Sequence, residues 1–221
     1  MPDLSTGMGV SYSSLMTTSR HQAGTTAIAA PAEGLCLDFV NTRYWRGSPE
    51  PTDELTGFQP LLGWLEAKSG VDERLLKSAS TQSKAEPAKA DELLGEAIVL
   101  REALHRLFAA AATEQPLPAA DFNVMNGALA EAPARRKLAS ADGWEVSRSS
   151  VSMPALLSSV LWSAADLLLA RNDRRIRQCA NEKCRFLFID ESKNGTRRWC
   201  EMSSCGNRAK ARRHLLKKKQ A

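Results

Sequence analysis

Long apolar runs are missing from this 221-residue chain. With no stretch of eighteen or more apolar residues, nothing in it reads as a membrane-spanning helix. Histidine is scarce, three residues in all. His21 lies near the N-terminus and His214 in a basic tail, which leaves little for general acid–base work. No Ser-His-Asp set, nucleotide-cradling glycine loop or HExxH motif occurs, so the chain is expected not to be an enzyme. The first 31 residues are rich in Ser, Thr and Gly and lack the continuous apolar core of a signal peptide. They are expected to form a disordered leader, and the protein is expected in the cytoplasm. Cysteine is sparse too. Cys36 stands alone between leucines, as a small buried apolar group would, and the other four of the five gather at the C-terminal end.

Those four fall into two equal pairs. Four residues separate Cys179 from Cys184, fifteen follow, and Cys200 and Cys205 repeat the first spacing. Two short knuckles are how a chain presents four thiolates to one tetrahedral Zn²⁺. Disulfides would use the same residues, but nothing routes the chain to an oxidising compartment, so metal binding is favoured. Four thiolates close the shell to water and make the site structural. His214, nine residues beyond Cys205, reads as solvated or phosphate-facing rather than as a ligand. Between the pairs, Phe186–Ile189 reads as a short strand, Asn194-Gly195 as a turn and Arg197–Trp199 as the returning strand. A helix over 206–216 comes next. A segment this short, with few large apolar groups, would hardly fold without its metal.

Charge is unevenly divided. Residues 174–221 hold 15 of the 30 basic residues and 4 of the 25 acidic ones, a formal +11; residues 1–173 therefore carry −6, and the overall +5 conceals the asymmetry. An acidic body with a strongly basic end points to a polyanionic partner, nucleic acid above all. On the last helix Arg208 and Arg212 share one face, with Lys210 and Arg213 nearby. Together with Arg197 and Arg198 they are the candidate phosphate contacts, whereas Lys217–Lys219 alone read as a solvated tail.

The strings CANEKC at 179–184, NGTRRWC at 194–200 and CGNR at 205–208, followed by AKARR, resemble the CGNR zinc finger. The resemblance implies one structural zinc on Cys179, Cys184, Cys200 and Cys205, in a small treble-clef-like module that contacts DNA. Upstream, LCLDFVNT at 35–42 resembles the opening motif of the ABATE domain. That domain usually precedes the finger in bacterial proteins described as stress-induced transcription regulators. The implied organisation is a leader over 1–31, an ABATE-like helical domain over 32–173 and the finger over 174–221. The fold class expected is mainly α with small β-hairpins (α+β).

In the body, LCLDFVNT embeds Asp38 and Asn41 in an apolar segment, where polar groups need partners. Asp38 would cap backbone amides or pair with an arginine such as Arg101. A sharper reading makes Asp38, Asn41, Arg43 and Arg101 a ligand pocket between the long helix, the core helix and the LDFVN segment, through which a signal reaches the finger. Thr56–Gln59 fits a capping box opening a helix that carries Leu61, Leu62, Trp64 and Leu65 and stops near Gly70. Asp72 caps a short helix through Leu75 and Leu76, and residues 78–89 read as a solvated connection. A long helix over 90–112 comes next, its His105 hydrogen-bonded or exposed, then a helix over 121–131 burying Phe122, Met125 and Leu129. Residues 133–150 read as a hairpin, and 153–170 as the central core helix. Trp45, Trp64, Trp144 and Trp162 are core or pocket walls.

Three functions fit these readings. One is a DNA-binding transcription regulator whose body senses a small-molecule effector or forms a homodimer. The second is an RNA-binding protein, and the third a zinc-stapled module that docks a protein partner.

Overall fold

The structure, a computed structural model, describes residues 34–133, 137–140, 143–145, 150–170 and 175–220. The leader expected over 1–31 and the turn of the 133–150 hairpin lie outside the described residues.

Helix α1 (Leu35–Val40) enters from Gly34, whose φ of +88° suits a residue without Cβ. Five of its six residues are buried and Asp38 alone is exposed, so this short helix threads the core instead of lying on it. β1 (Arg43–Tyr44) and β2 (Thr52–Asp53) then pair antiparallel. Helix α2 (Phe58–Lys68) starts at Gly57 without a side-chain cap. The capping-box reading fails because Thr56 lies one residue too early, and Gln59 Nε2 donates instead to Ser83 Oγ at 2.9 Å.

Helix α3 (Glu73–Ala85) is capped by Asp72, whose Oδ1 accepts from the Arg74 amide at 2.7 Å. It runs through most of the segment expected to be a solvated connection. Leu76 and Ala79 bury one face of it, and the Thr81 and Ser83 hydroxyls are satisfied by the Lys77 and Ser80 carbonyls. The break comes at Glu86, because the residue before a proline is driven out of the helical region. Pro87 then opens α4 (Pro87–Ala112) at a position where its missing N–H costs nothing.

Helix α5 (Ala119–Glu131) is rotated from its expected face. Met125 and Asp121 are buried while Phe122 is 39% exposed. The Arg106 guanidinium turns it, donating from two nitrogens to Asp121, with Nη2–Oδ1 at 2.6 Å. β3 (Lys137–Ser140) and β4 (Gly143–Glu145) form the expected hairpin, with Leu138 opposite Trp144. The core helix is two pieces, α6 (Met153–Leu156) and α7 (Ser158–Leu169), joined at Leu157. The core gathers α1, α4 and α7 around Phe39, Leu104, Phe108, Leu157 and Leu161, all fully buried. Among the described residues no helix is long and apolar enough to cross a membrane.

The last hairpin departs most from expectation. β6 (Leu187–Ile189) pairs antiparallel with β5 (Ile176–Gln178), which precedes the first cysteine, and not with Arg197–Trp199. The first knuckle is thus the hairpin's own turn. Ile176 and Leu187 reach into the core of the body, which the 197–199 segment with its two arginines could not do. A wide turn over Met202–Gly206 then feeds α8 (Asn207–Gln220), longer than the 206–216 expected.

Candidate metal module and the cleft beside it

The knuckle forms because its backbone bonds close on themselves. The Cys179 amide donates to Phe186 O at 2.8 Å and the Cys184 amide to Asn181 O at 2.8 Å. Arg185 takes φ 54°, an unusual conformation for a residue with a Cβ. The Ala180 amide bonds Arg198 O at 2.8 Å and brings the second cysteine pair to the first. All four Sγ atoms lie within 4.8 Å of one another, and Cys184 Sγ is 3.8 Å from Cys200 Sγ. Sulfurs at a Zn–S bond of ~2.3 Å span tetrahedral edges of about 3.8 Å, so the set fits one zinc ion. Cys200 is half-buried and the other three are buried. The hydrogen bond from Cys184, then burial, push the Cys200 thiol well above the usual range. Burial raises the Cys179 thiol as well. Such protons are released when a metal binds. Asn181 Nδ2 lies 3.5 Å from Cys205 Sγ, an outer contact of the kind that orients a ligand.

Asp190, unremarked in the sequence, shapes the loop between the knuckles. Its buried carboxylate accepts from the Ser192 amide and hydroxyl and from the Arg197 amide at 3.0 Å. Burial works against its charge and these donors outweigh it, leaving the carboxyl below its ordinary value. An Asp-x-Ser turn was the available signal.

The module is clamped to the body. The Asn41 amide donates to Leu187 O at 2.8 Å and accepts from the Leu187 N–H at 3.1 Å, imitating a further strand beside β6. The Gly47 N–H donates to Lys183 O at 3.2 Å. A Cβ on Gly47 would sit 1.8 Å from the Glu182 carbonyl oxygen. Gly47→Ala is therefore expected to push the knuckle off the body and lower stability by about 1–3 kcal/mol, the usual range for overpacking. The melting temperature should fall by several degrees while zinc stays at one per chain; an unchanged transition would show that this contact yields freely.

Of the four pocket candidates, Asp38 and Asn41 line a common cleft, and Arg43 and Arg101 do not. The cleft, about 720 Å³, lies between α1, α2 and the metal module, with Trp64 and Lys68 on one side and Cys184 and Cys200 on the other. The expected position between the long helix and the core helix is thus displaced, because α1 lies between those helices and packs on both. Asp38 does not pair with Arg101. Arg101 is fully buried and grips Asp53 through both carboxylate oxygens, at 2.7 and 2.6 Å, with Thr42 Oγ1 at 3.2 Å. Arg43 sits 3.9 Å from Glu102. His105 Nε2 is buried without a partner, and burial, followed by the Arg46 charge, lowers its pKa to about 4, so the ring is neutral near neutral pH.

The basic residues divide into two groups. Arg197 is exposed but tied back onto the module, donating to the Trp199 and Cys200 carbonyls and lying 4.5 Å from the Phe188 ring. Arg198 lies 5.4 Å from the Trp199 ring, and Arg208 stacks 4.6 Å over Trp45 of the body. Lys210, Arg212 and Arg213 are exposed and have no ion-pair partner among the described residues.

Fold and site together define a helical protein with a closed four-thiolate zinc module docked on its core. The chain belongs to the ABATE family, whose profile, described as "Putative stress-induced transcription regulator", matches residues 33–171. The profile of the CGNR zinc finger matches residues 175–218. A search of curated proteins finds no match.

Proposed function

We propose that the protein is a cytoplasmic, non-enzymatic DNA-binding transcription regulator in which α8 meets the duplex and the body senses a small molecule. The observation that carries this reading is the exposed cationic surface of α8 beyond its first turn. Lys210, Arg212, Arg213 and Lys218 all stand in solvent beyond the zinc module, on a chain whose body is acidic. Apart from the exposed Leu215 and Leu216, the helix presents mainly charged and polar side chains, which suits it to a charged partner. Zinc and the Asn41 clamp hold it at a set angle, which is what reading a groove requires. Arg208 is exposed and stacks only the face of its guanidinium on Trp45, so its N–H edge joins the cations further along the helix in facing the phosphates. The cleft supports sensing because body and module both line it.

Selection of duplexes from a random DNA pool by the zinc-loaded chain, at moderate salt, tests the reading. An enriched motif is expected, and the spacing of its half-sites would report whether a homodimer binds. Reversing Arg212 and Arg213 to Glu should weaken binding and make the salt slope shallower by about 2, at roughly 0.9 for each phosphate no longer neutralised. Thermal stability should not change. Salt-sensitive binding without enrichment would favour RNA or an acidic protein partner instead.

A further inference from the structure

We propose that the cleft between α1, α2 and the zinc module binds an organic cation, an amine or quaternary ammonium carrying an apolar or aromatic body. This rests on the reading of the body as a sensor and names the class of its ligand. A volume of about 720 Å³ lies within the ~300–1,000 Å³ of small-molecule sites. Tyr44, Trp45, Trp64 and Phe186, all half-buried, form much of the wall. Aromatic faces present negative charge and attract desolvated ammonium groups.

Three carboxylates, Asp38, Glu54 and Glu201, share that wall. None has a side-chain hydrogen bond or ion pair among the described residues. Two cations also line it, and Arg197 is already committed to the Trp199 and Cys200 carbonyls. Those carbonyls are neutral and leave the Arg197 charge in place, so three carboxylates face two cations and the wall keeps one negative charge in excess. Cys184, Cys200 and Cys205 add the module's own charge, since zinc on four thiolates carries a formal charge of about −2. Partial burial raises the Asp38 carboxyl despite the opposing Lys68 charge, so a cation placed there would favour its charged form.

The site also has a route outward. The Trp45 ring that borders the cleft is the one on which Arg208 stacks at 4.6 Å. Trp45 holds φ 56°, strained backbone for a bulky residue. A cation against that ring meets the same π-system that holds Arg208, and Arg208 lies in the first turn of α8.

The test titrates the full-length, zinc-loaded protein with benzyltrimethylammonium, benzyl alcohol and benzoate, followed by calorimetry and tryptophan fluorescence. Saturable binding of the ammonium is expected, about tenfold or more tighter than either other probe, a factor that corresponds to ~1.4 kcal/mol. The double variant Asp38→Asn with Glu54→Gln removes two exposed, unbonded carboxylates and should melt with the parent while losing about tenfold in ammonium affinity. Equal binding of the three probes, no binding of the ammonium, or full affinity in the double variant would overturn the proposal. Binding of benzoate alone would overturn the cation and leave the sensor reading in place. Ammonium binding that is lost in the variant yet leaves duplex affinity unchanged supports the site and removes the sensor reading.

Discussion

Cys200→Ser is expected to strip the zinc and to lower the stability of the whole chain. Structural zinc contributes on the order of 10–16 kcal/mol to the folding of small modules, and a hydroxyl is a poor replacement for one of four thiolates. An independent finger would unfold alone and leave the body's transition where it was. This module cannot, because Ile176 and Leu187 of its hairpin belong to the body's core at 6% and 1% exposure. Exposing two such side chains forfeits about 1.5–3 kcal/mol each. At roughly 2–4 °C per kcal/mol for a chain of this size, the body's melting temperature should fall by on the order of 10 °C. Metal analysis and thermal circular dichroism read both effects. Full zinc content in the variant would break the four-thiolate assignment. Loss of zinc with an unmoved body transition would break the shared-core account.

Arg101→Met should damage the body while leaving the zinc module loaded. Arg101 is 0% exposed and holds Asp53, itself about a third exposed, through two short charge-assisted bonds. Removing one member of a buried pair leaves the other uncompensated, at a typical cost of 3–5 kcal/mol. Partial exposure of Asp53 and the nearby Arg43 charge place the expectation near the lower figure, about 3 kcal/mol. The same pair sets an acid limit. Burial alone would raise the Asp53 carboxyl, and the Arg101 hydrogen bonds overcome it and hold it below its ordinary value. A depressed folded-state pKa means stability that is present above the unfolded value, about 4, and lost as pH falls through the folded one. Denaturant midpoints measured from pH 6 downward should decline below about pH 4, and Asp53→Asn should flatten that decline. A parallel decline in the variant would move the acid sensitivity to another carboxylate.

Much of the candidate site is legible in the sequence because its chemistry is local. Two equal cysteine spacings and a run of basic residues need no partner elsewhere in the chain to be recognised, and the metal cluster gathers those four thiols. Asp72 as a cap is legible for the same reason, since its bond reaches only two residues along. The returning strand is misplaced because Asn194-Gly195 is a genuine turn signal; the Gly195 amide does close on Ser192 O. The segment beyond that turn carries Arg197 and Arg198, while Ile176 offers an apolar side chain to the core. The competition between those two segments is settled by burial against α4 and cannot be read from either one alone. Residues 78–85 resemble a linker because their polar side chains hide how well Leu76 and Ala79 fit the neighbouring helices.

The amino-acid sequence alone established a zinc-stapled basic end on an acidic, mostly helical body, because ligand spacing, net charge and helical periodicity are properties of neighbours along a chain. Folding assigned the partners. Arg101 took Asp53 over Asp38, Asn41 became a clamp on Leu187, Arg208 found Trp45, and a cleft opened between body and module. Each joins residues separated by 48 to 163 positions. Such pairs form where packing brings side chains together and desolvates them, and that depends on the whole core rather than on any local pattern.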